Sequence, residues 1–323
     1  MKPILKVENL TTSFQGEEGR VTAVRNLSFE LHKGETLAVV GESGCGKSVT
    51  ALSILNLIPN PPGKIDNGCI WFEDRDLTRL RKRDMRKVRG NQIAMIFQEP
   101  MTSLNPVFTV GRQVMDSLII HQNMTKKKAH AAAVSLLTSV GIPEPELTVD
   151  RYPHQLSGGM RQRAMIAMAL ACRPDILIAD EPTTALDVTI QAQILNLLRN
   201  LHDEMNMSIL LITHDMGVVA QLADHVLVMY AGEAVEYRKS KELFKSPHHP
   251  YTEGLLKSIP SLTEDHLVLY NIPGSVPPIH AEIEGCRFAD RCSYAQPYCR
   301  EHKPELEGDR ESKVRCHFAL NVT

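Results

Sequence analysis

The sequence predicts an α/β protein: a mainly parallel core sheet, an antiparallel β subdomain, an inserted helical subdomain and a small cysteine-rich carboxy-terminal extension. Three observations carry this reading. Short apolar runs, often β-branched, at 36–40, 93–97, 176–179, 209–212 and 225–229 have the length and composition of buried strands. Helical patterns at 48–57, 161–171 and 190–205 alternate with them, as expected of a parallel sheet covered by helices. The stretch 5–30 instead shows shorter alternating segments around Gly16 and Gly19, which fits antiparallel pairing.

Along the chain, strand signals stop between 106 and 152 and helix formers dominate, including 126–140 with its alanine run, ended by Gly141 and Pro143. An inserted helical subdomain is expected over about residues 100–165, inside a first domain of residues 1–245. After about Phe244 the texture changes, and Pro247, Pro250, Pro260, Pro273, Pro277 and Pro278 precede a cluster of cysteines. A second module with little regular structure is expected over residues 246–323.

The 323 residues are 43% hydrophobic, enough for a sizeable core, and the formal net charge of -2 leaves no basic excess to hold a polyanion, so nucleic acid is not an expected partner. The longest apolar stretches, such as 164–172, fall far short of the roughly 18 residues of a membrane-spanning helix, and residues 1–6 lack the apolar region of a secretory signal. A cytosolic location is expected. In that compartment the seven cysteines are not expected to form structural disulfides. Cys45, Cys69 and Cys172 are scattered, whereas Cys286, Cys292, Cys299 and Cys316 crowd into the tail. The seven basic residues from Arg79 to Arg89 read as a solvated helix face, given Asp84 among them, Asp76 nearby and the near-neutral whole.

Chemistry enters at Gly41-Glu42-Ser43-Gly44-Cys45-Gly46-Lys47-Ser48, which follows one strand signal and opens a helix. This is the G-x-x-x-x-G-K-S phosphate loop in its required context. Its glycines let successive backbone N–H groups point into one concavity, and the helix start adds roughly half a positive charge. Lys47 is placed to reach the β- and γ-phosphates and Ser48 to offer its hydroxyl to Mg²⁺. Kinases, GTPases and motors share this loop, so it specifies nucleotide binding and no more.

Leu156-Ser157-Gly158-Gly159-Met160-Arg161-Gln162-Arg163 resembles the LSGGQ signature of ATP-binding-cassette (ABC) ATPases, with Met160 where glutamine is usual. By itself the segment could equally be a helix cap. Other elements follow in family order. Residues 176–181 resemble the Walker B strand; the likeness implies that Asp180 orients Mg²⁺ and Glu181 polarises the attacking water. Ala185-Leu186-Asp187 resembles the D-loop, His214 the switch histidine, and Gln98 the Q-loop residue that opens the helical insert. Phe14 matches the aromatic that stacks on adenine, although one phenylalanine in a strand is more often core. The resemblance spans about residues 1–245 and implies ATP sandwiched between two cassettes, closure driven by binding, in-line water attack, and reopening after phosphate release. It also implies that the helical insert receives a transmembrane partner.

The tail, with Gly285-Cys286-Arg287-Phe288-Ala289-Asp290-Arg291-Cys292 after a Pro-rich strap, resembles the extension of dipeptide, oligopeptide and nickel importer ATPases. Its cysteines are separated by 5, 6 and 16 residues. A [4Fe-4S] cluster, a Zn²⁺ ion and free thiols are the three readings, and the resemblance favours the cluster. The implied assembly is a peripheral ATPase on the cytoplasmic face of the membrane, with two permease subunits, a second and often non-identical ATPase, and an extracytoplasmic binding protein. Di- or oligopeptides are the expected cargo, nickel or a metal chelate the alternative. The rivals are a soluble ABC ATPase of repair or translation and a phosphate-loop kinase. The single cassette with a compact insert opposes the first, and the signature segment opposes the second.

Overall fold

The computed structural model describes residues 2–17, 19–98, 103–184, 187–259 and 270–321. By internal packing the chain divides into two compact units: Met1–His32, Thr36–Thr78 and Ile212–Thr323, and Lys33–Glu35 with Arg79–Leu211. Elements are numbered in chain order.

In the first unit, β1 (Leu5–Gly16), β2 (Gly19–Leu31), β4 (Gly63–Phe72) and β5 (Arg75–Asp76) form the expected antiparallel sheet, in the order β2-β1-β4-β5. Alternation buries Leu5, Val7 and Leu10 of β1 and Leu27, Phe29 and Leu31 of β2. β3 (Thr36–Val40) is buried at every position, which is why it reads as a continuous apolar run. It pairs in parallel with β9 (His225–Tyr230), and β10 (Glu233–Lys239) returns antiparallel to β9. α1 (Lys47–Ile54) follows β3, while α8 (Met216–Leu222) and α9 (Ser240–Lys245) add cover from later in the chain.

The tail belongs to this first unit and holds more regular structure than its prolines predict. It contains α10 (Pro250–Lys257), a 3₁₀ turn at Ala289–Arg291, α11 (Pro297–Glu301), β11 (Glu307–Gly308) and β12 (Ser312–Val314). β12 pairs antiparallel with β10, Glu236 opposite Val314, so the tail lengthens the sheet. A three-residue strand carries no readable period; only its long-range backbone pairing makes it a strand. Tyr251 and Phe288 join Val40, Val228 and Tyr230 in one buried cluster. Their rings meet edge-on or tilted, with centroids 4.7 Å apart for Tyr230–Tyr251, 5.1 Å for Tyr230–Phe288 and 5.3 Å for Tyr251–Phe288. Each such pair contributes about 0.5–1.5 kcal/mol beyond area burial.

The second unit holds α2 (Lys82–Val88), β6 (Ile93–Ile96), α3 (Val110–Gln122), α4 (Lys126–Ser139), α5 (Pro145–Thr148), α6 (Gly158–Leu170), β7 (Ile176–Asp180) and α7 (Val188–Met205). β8 (Ser208–Thr213) begins in this unit and runs past its last residue, Leu211; the strand order is β8-β7-β6, with β6 and β7 parallel. Thr109 and Thr125 cap α3 and α4, each side chain accepting from a first-turn N–H. α4 buries Ala129, Ala133 and Leu137, one face at a spacing of four, and leaves Lys126–Lys128 outward. On α2, Met85 and Val88 are buried while Arg81, Arg83 and Lys87 surround Asp84 on an exposed face.

His249 shows how tightly the tail is built in. Its Nδ1 accepts from the Tyr251 N–H at 3.0 Å, capping α10, and the N–H groups of His248 and His249 each donate to the Glu236 carboxylate at 2.8 Å. Burial pushes the imidazole pKa down to about 3, because a charged ring would lose its water and an Nδ1 acceptor cannot carry a proton. Below about pH 6.5 the unfolded chain takes up a proton that the folded one refuses, so stability is full above that pH. It declines by up to roughly 1.4 kcal/mol per pH unit as pH falls from about 6.5 toward 3. Urea midpoints measured between pH 7 and pH 5 should fall more steeply in the wild type than in His249→Asn, which keeps an acceptor but does not titrate.

Candidate nucleotide-binding site

The phosphate loop leaves the carboxyl end of β3. Gly44 and Gly46 have φ of 79° and 103°, and a Cβ at Gly46 would stand 2.6 Å from the Ala23 carbonyl oxygen. Glycine is required there on both counts. The Lys47 ammonium, 5% exposed, donates to the carbonyls of Gly41 and Glu42 at 2.8 and 3.0 Å. Ser43 and Gly44 are exposed, Ser48 is half-buried at the start of α1, and Cys45 is buried, which pushes its thiol up. The turn after β9 supports the loop from below, with the Gly232 N–H on the Cys45 carbonyl at 3.1 Å. In the same unit Phe14 is half-buried on β1, packed so closely on Gly63 that a Cβ there would meet its ring at 2.7 Å. His214 is exposed, directly after β8.

In the second unit, β6 and β7 end at the same edge because they are parallel, and this joins two of the expected residues. The Gln98 side-chain amide donates to a carboxylate oxygen of Glu181 at 2.9 Å, and the Thr184 hydroxyl donates to the same oxygen at 2.9 Å. Asp180, at the end of β7, is 4% exposed. Glu181 has φ of 47°, a left-handed conformation that costs a non-glycine residue on the order of 1–3 kcal/mol and turns its carboxylate out of the strand direction. Ser157 caps α6, accepting from the Met160 N–H at 3.3 Å, so the signature helix begins at Gly158, three residues before the sequence pattern placed it. Ser157 and Gly158 are exposed, whereas a Cβ at Gly159 would press Ile190 at 3.1 Å. Asp187 caps α7, accepting from the Ile190 N–H at 2.9 Å; Ala185 and Leu186 lie outside the described residues. Sequence reasoning missed Thr184 and also Gln162, which is 2% exposed and donates to the Pro182 carbonyl. Gln162 lies in the signature segment already singled out and Thr184 just outside the segments 176–181 and 185–187, but only side-chain geometry shows their direction.

Cys286, Cys292, Cys299 and Cys316 all line one small cavity, together with His249 and Phe288. Burial pushes the thiols of Cys286 and Cys292 up and that of Cys316 to about 11. Among the described residues no group of three His, Cys, Asp or Glu side chains could hold a single metal ion. In donor chemistry alone, four thiols suit a thiolate-bound cluster and a Zn²⁺ ion alike. Among the described residues no helix is long and apolar enough to cross a membrane.

A phosphate loop behind a buried strand, a capped signature helix and a glutamine on the acid that directly follows a parallel strand define an ATP-binding cassette. Comparison agrees: residues 24–184 match the ABC transporter family, and residues 235–299 match the oligopeptide/dipeptide transporter C-terminal region. The chain is 53% identical to the oligopeptide transport ATP-binding protein AppD of Bacillus subtilis, covering 98% of this chain and 97% of that one. It is 48% identical to the dipeptide transport ATP-binding protein DppD of Haemophilus influenzae, covering 98% and 96%. Among solved structures, the dimeric ATP-binding cassette MJ0796 bound to ADP and Pi is similar with a TM-score of 0.66 at 28% identity, over 73% of this chain and 98% of that one. The chain therefore belongs to the ABC transporter family of ATP-hydrolysing subunits, in its oligopeptide/dipeptide branch.

The loop geometry makes a direct prediction. Gly46→Ala should weaken ATP binding at least tenfold and lower stability by about 1–3 kcal/mol, since the added Cβ strikes backbone in a left-handed conformation. Equilibrium titration with a fluorescent ATP analogue, beside a urea melt, checks both.

Proposed function

We propose that this chain is the ATP-hydrolysing motor of a di- or oligopeptide importer, bound at the cytoplasmic face of the membrane to two permease subunits and a second ATPase. The observation that carries it is similarity over nearly the whole chain, extension included, to oligopeptide and dipeptide transport ATP-binding proteins. A nickel or metal-chelate importer is the alternative cargo reading. In our reading residues 1–245 form the ATPase domain, and 246–323 the extension that marks the branch.

The phosphate loop, residues 41–48, holds the triphosphate through its N–H groups and Lys47, and Phe14 stacks on the adenine. By the family resemblance, Ser48 in the first unit and Asp180 and Gln98 in the second are the residues that would hold Mg²⁺, whose charge would offset that building on the phosphate oxygens. Glu181 takes the proton from the attacking water, held by the amide of Gln98 and the hydroxyl of Thr184. His214 contacts the γ-phosphate, while Ser157, Gly158, Gly159 and Asp187 serve the partner cassette's nucleotide. Glu181→Gln should cut ATP turnover by about 10²–10⁴-fold while nucleotide binding persists. Equal losses in binding and turnover would remove Glu181 from the role of base.

We further infer that Cys286, Cys292, Cys299 and Cys316 hold a [4Fe-4S] cluster, supported by their sharing of one cavity. Because ligation releases thiol protons, the raised thiols make loading easier at higher pH. Anaerobic purification should give about four irons and four sulfides per chain, lost in Cys292→Ser; absence of iron and sulfide from the wild type would leave four thiols bracing the fold.

A further inference from the structure

One interaction between the extension and the phosphate loop has no place in the catalytic scheme above. Arg291, in the turn just before Cys292, points its guanidinium at Glu42, the second residue of the loop. Nη1 donates to Glu42 Oε2 at 2.9 Å and Nη2 to Oε1 at 3.1 Å, a bidentate pair. The remaining donors are also taken: Nε by the Pro273 carbonyl at 2.9 Å, Nη1 by the Tyr230 hydroxyl at 3.4 Å, and Nη2 by the Ile272 carbonyl at 3.4 Å. Five N–H groups thus meet five acceptors, and the side chain is only 7% exposed. The extension grips the backbone of the same residue, the Glu42 N–H donating at 2.9 Å to the hydroxyl of the fully buried Tyr251.

Glu42 is a carboxylate in a loop built to receive a polyanion. Unpaired, it would repel a triphosphate across a few ångströms of partly desolvated space, and its flexible side chain could swing toward the ligand. A lysine could offset the charge; a guanidinium whose every donor is occupied also fixes where the carboxylate lies. The Tyr251 hydroxyl meanwhile accepts from the Glu42 N–H, and the Glu42 carbonyl accepts from Lys47, so this residue bears on the position of the loop's lysine.

We propose that Arg291 is a positioning residue of the nucleotide site, neutralising and fixing Glu42 so that the phosphate loop accepts ATP, with Tyr251 holding the backbone of the same residue. This rests on the reading of residues 41–48 as the phosphate-binding loop. It makes the extension part of the ATP site and not merely an appendage to it.

The test is a double-mutant cycle on the full chain: wild type, Arg291→Met, Glu42→Gln and the double variant, each titrated with a fluorescent ATP analogue after circular dichroism confirms folding. Arg291→Met should weaken binding by roughly tenfold, and adding Glu42→Gln should recover most of that loss, because the unpaired charge is then gone. Arg291→Lys should fall between wild type and Arg291→Met, and Tyr251→Phe tests the backbone contact without emptying the core. A folded Arg291→Met with wild-type affinity overturns the proposal, as does a double variant no better than Arg291→Met, which would mean that the arginine only braces the fold. Should Arg291→Met fail to fold, Arg291→Lys carries the cycle with the same two criteria. A wild type that binds no ATP would instead overturn the reading of the loop itself.

Discussion

Parallel pairing is the constraint on which the chemistry of both units rests. Strands that run the same way end at the same edge, so whatever follows them meets there. In one unit β6 and β7 end together, and Gln98 reaches Glu181 with no other help from the backbone. In the other, β3 and β9 end together, and the turn after β9 hydrogen-bonds the phosphate loop that follows β3. Because β3 is buried throughout, the chain can present functional groups only beyond its end. A loop rich in glycine is the economical way to turn N–H groups outward at that point.

The remainder of the first unit keeps that edge in place. Tyr230 at the end of β9, Tyr251 on α10 and Phe288 in the tail pack on one another around Val40, the residue before the loop begins. An apolar contact of this kind is non-directional and sets distance, while the hydrogen bonds to Glu42 and Glu236 set orientation. The buried charges obey the same division. Glu236, whose carboxyl burial pushes up, receives two backbone N–H donors, and Glu233 is paired with Lys303 and Arg287. Both of these buried acids have partners, as the cost of desolvating a carboxylate demands.

Strain is spent where the chemistry is expected. Glu181 holds a left-handed backbone that asparagine or glycine would adopt more readily, yet a carboxylate is what accepts from Gln98 and Thr184. Such a conformation persists only because its surroundings over-determine it. The capping residues Ser157 and Asp187 are different: each takes the ordinary extended conformation of a helix cap, so their exposure, not strain, makes them available.

The core strands, the helical insert and the phosphate loop were legible in the residues themselves, because each rests on local chemistry: β-branched runs for buried strands, helix formers with an alanine run for the insert, and closely spaced glycines for the loop. The signature segment and the acids Asp180 and Glu181 were legible through their resemblance to the motifs of ABC ATPases, which their order along the chain reinforces. The strands of the tail were not, because β12 exists only through its pairing with β10, far away in sequence. Nor could the sequence show that Thr184 and Gln98 share one oxygen of Glu181, or that four cysteines line one cavity. Arg291 is the sharpest case: it stood in a motif noted for its cysteines, and only packing of the tail against β9 brought two of its donors onto Glu42 of the phosphate loop. The sequence by itself determined which local structures form and which chemical groups they carry; the tertiary structure decided which of those groups meet, because long-range pairing and packing leave no period to read.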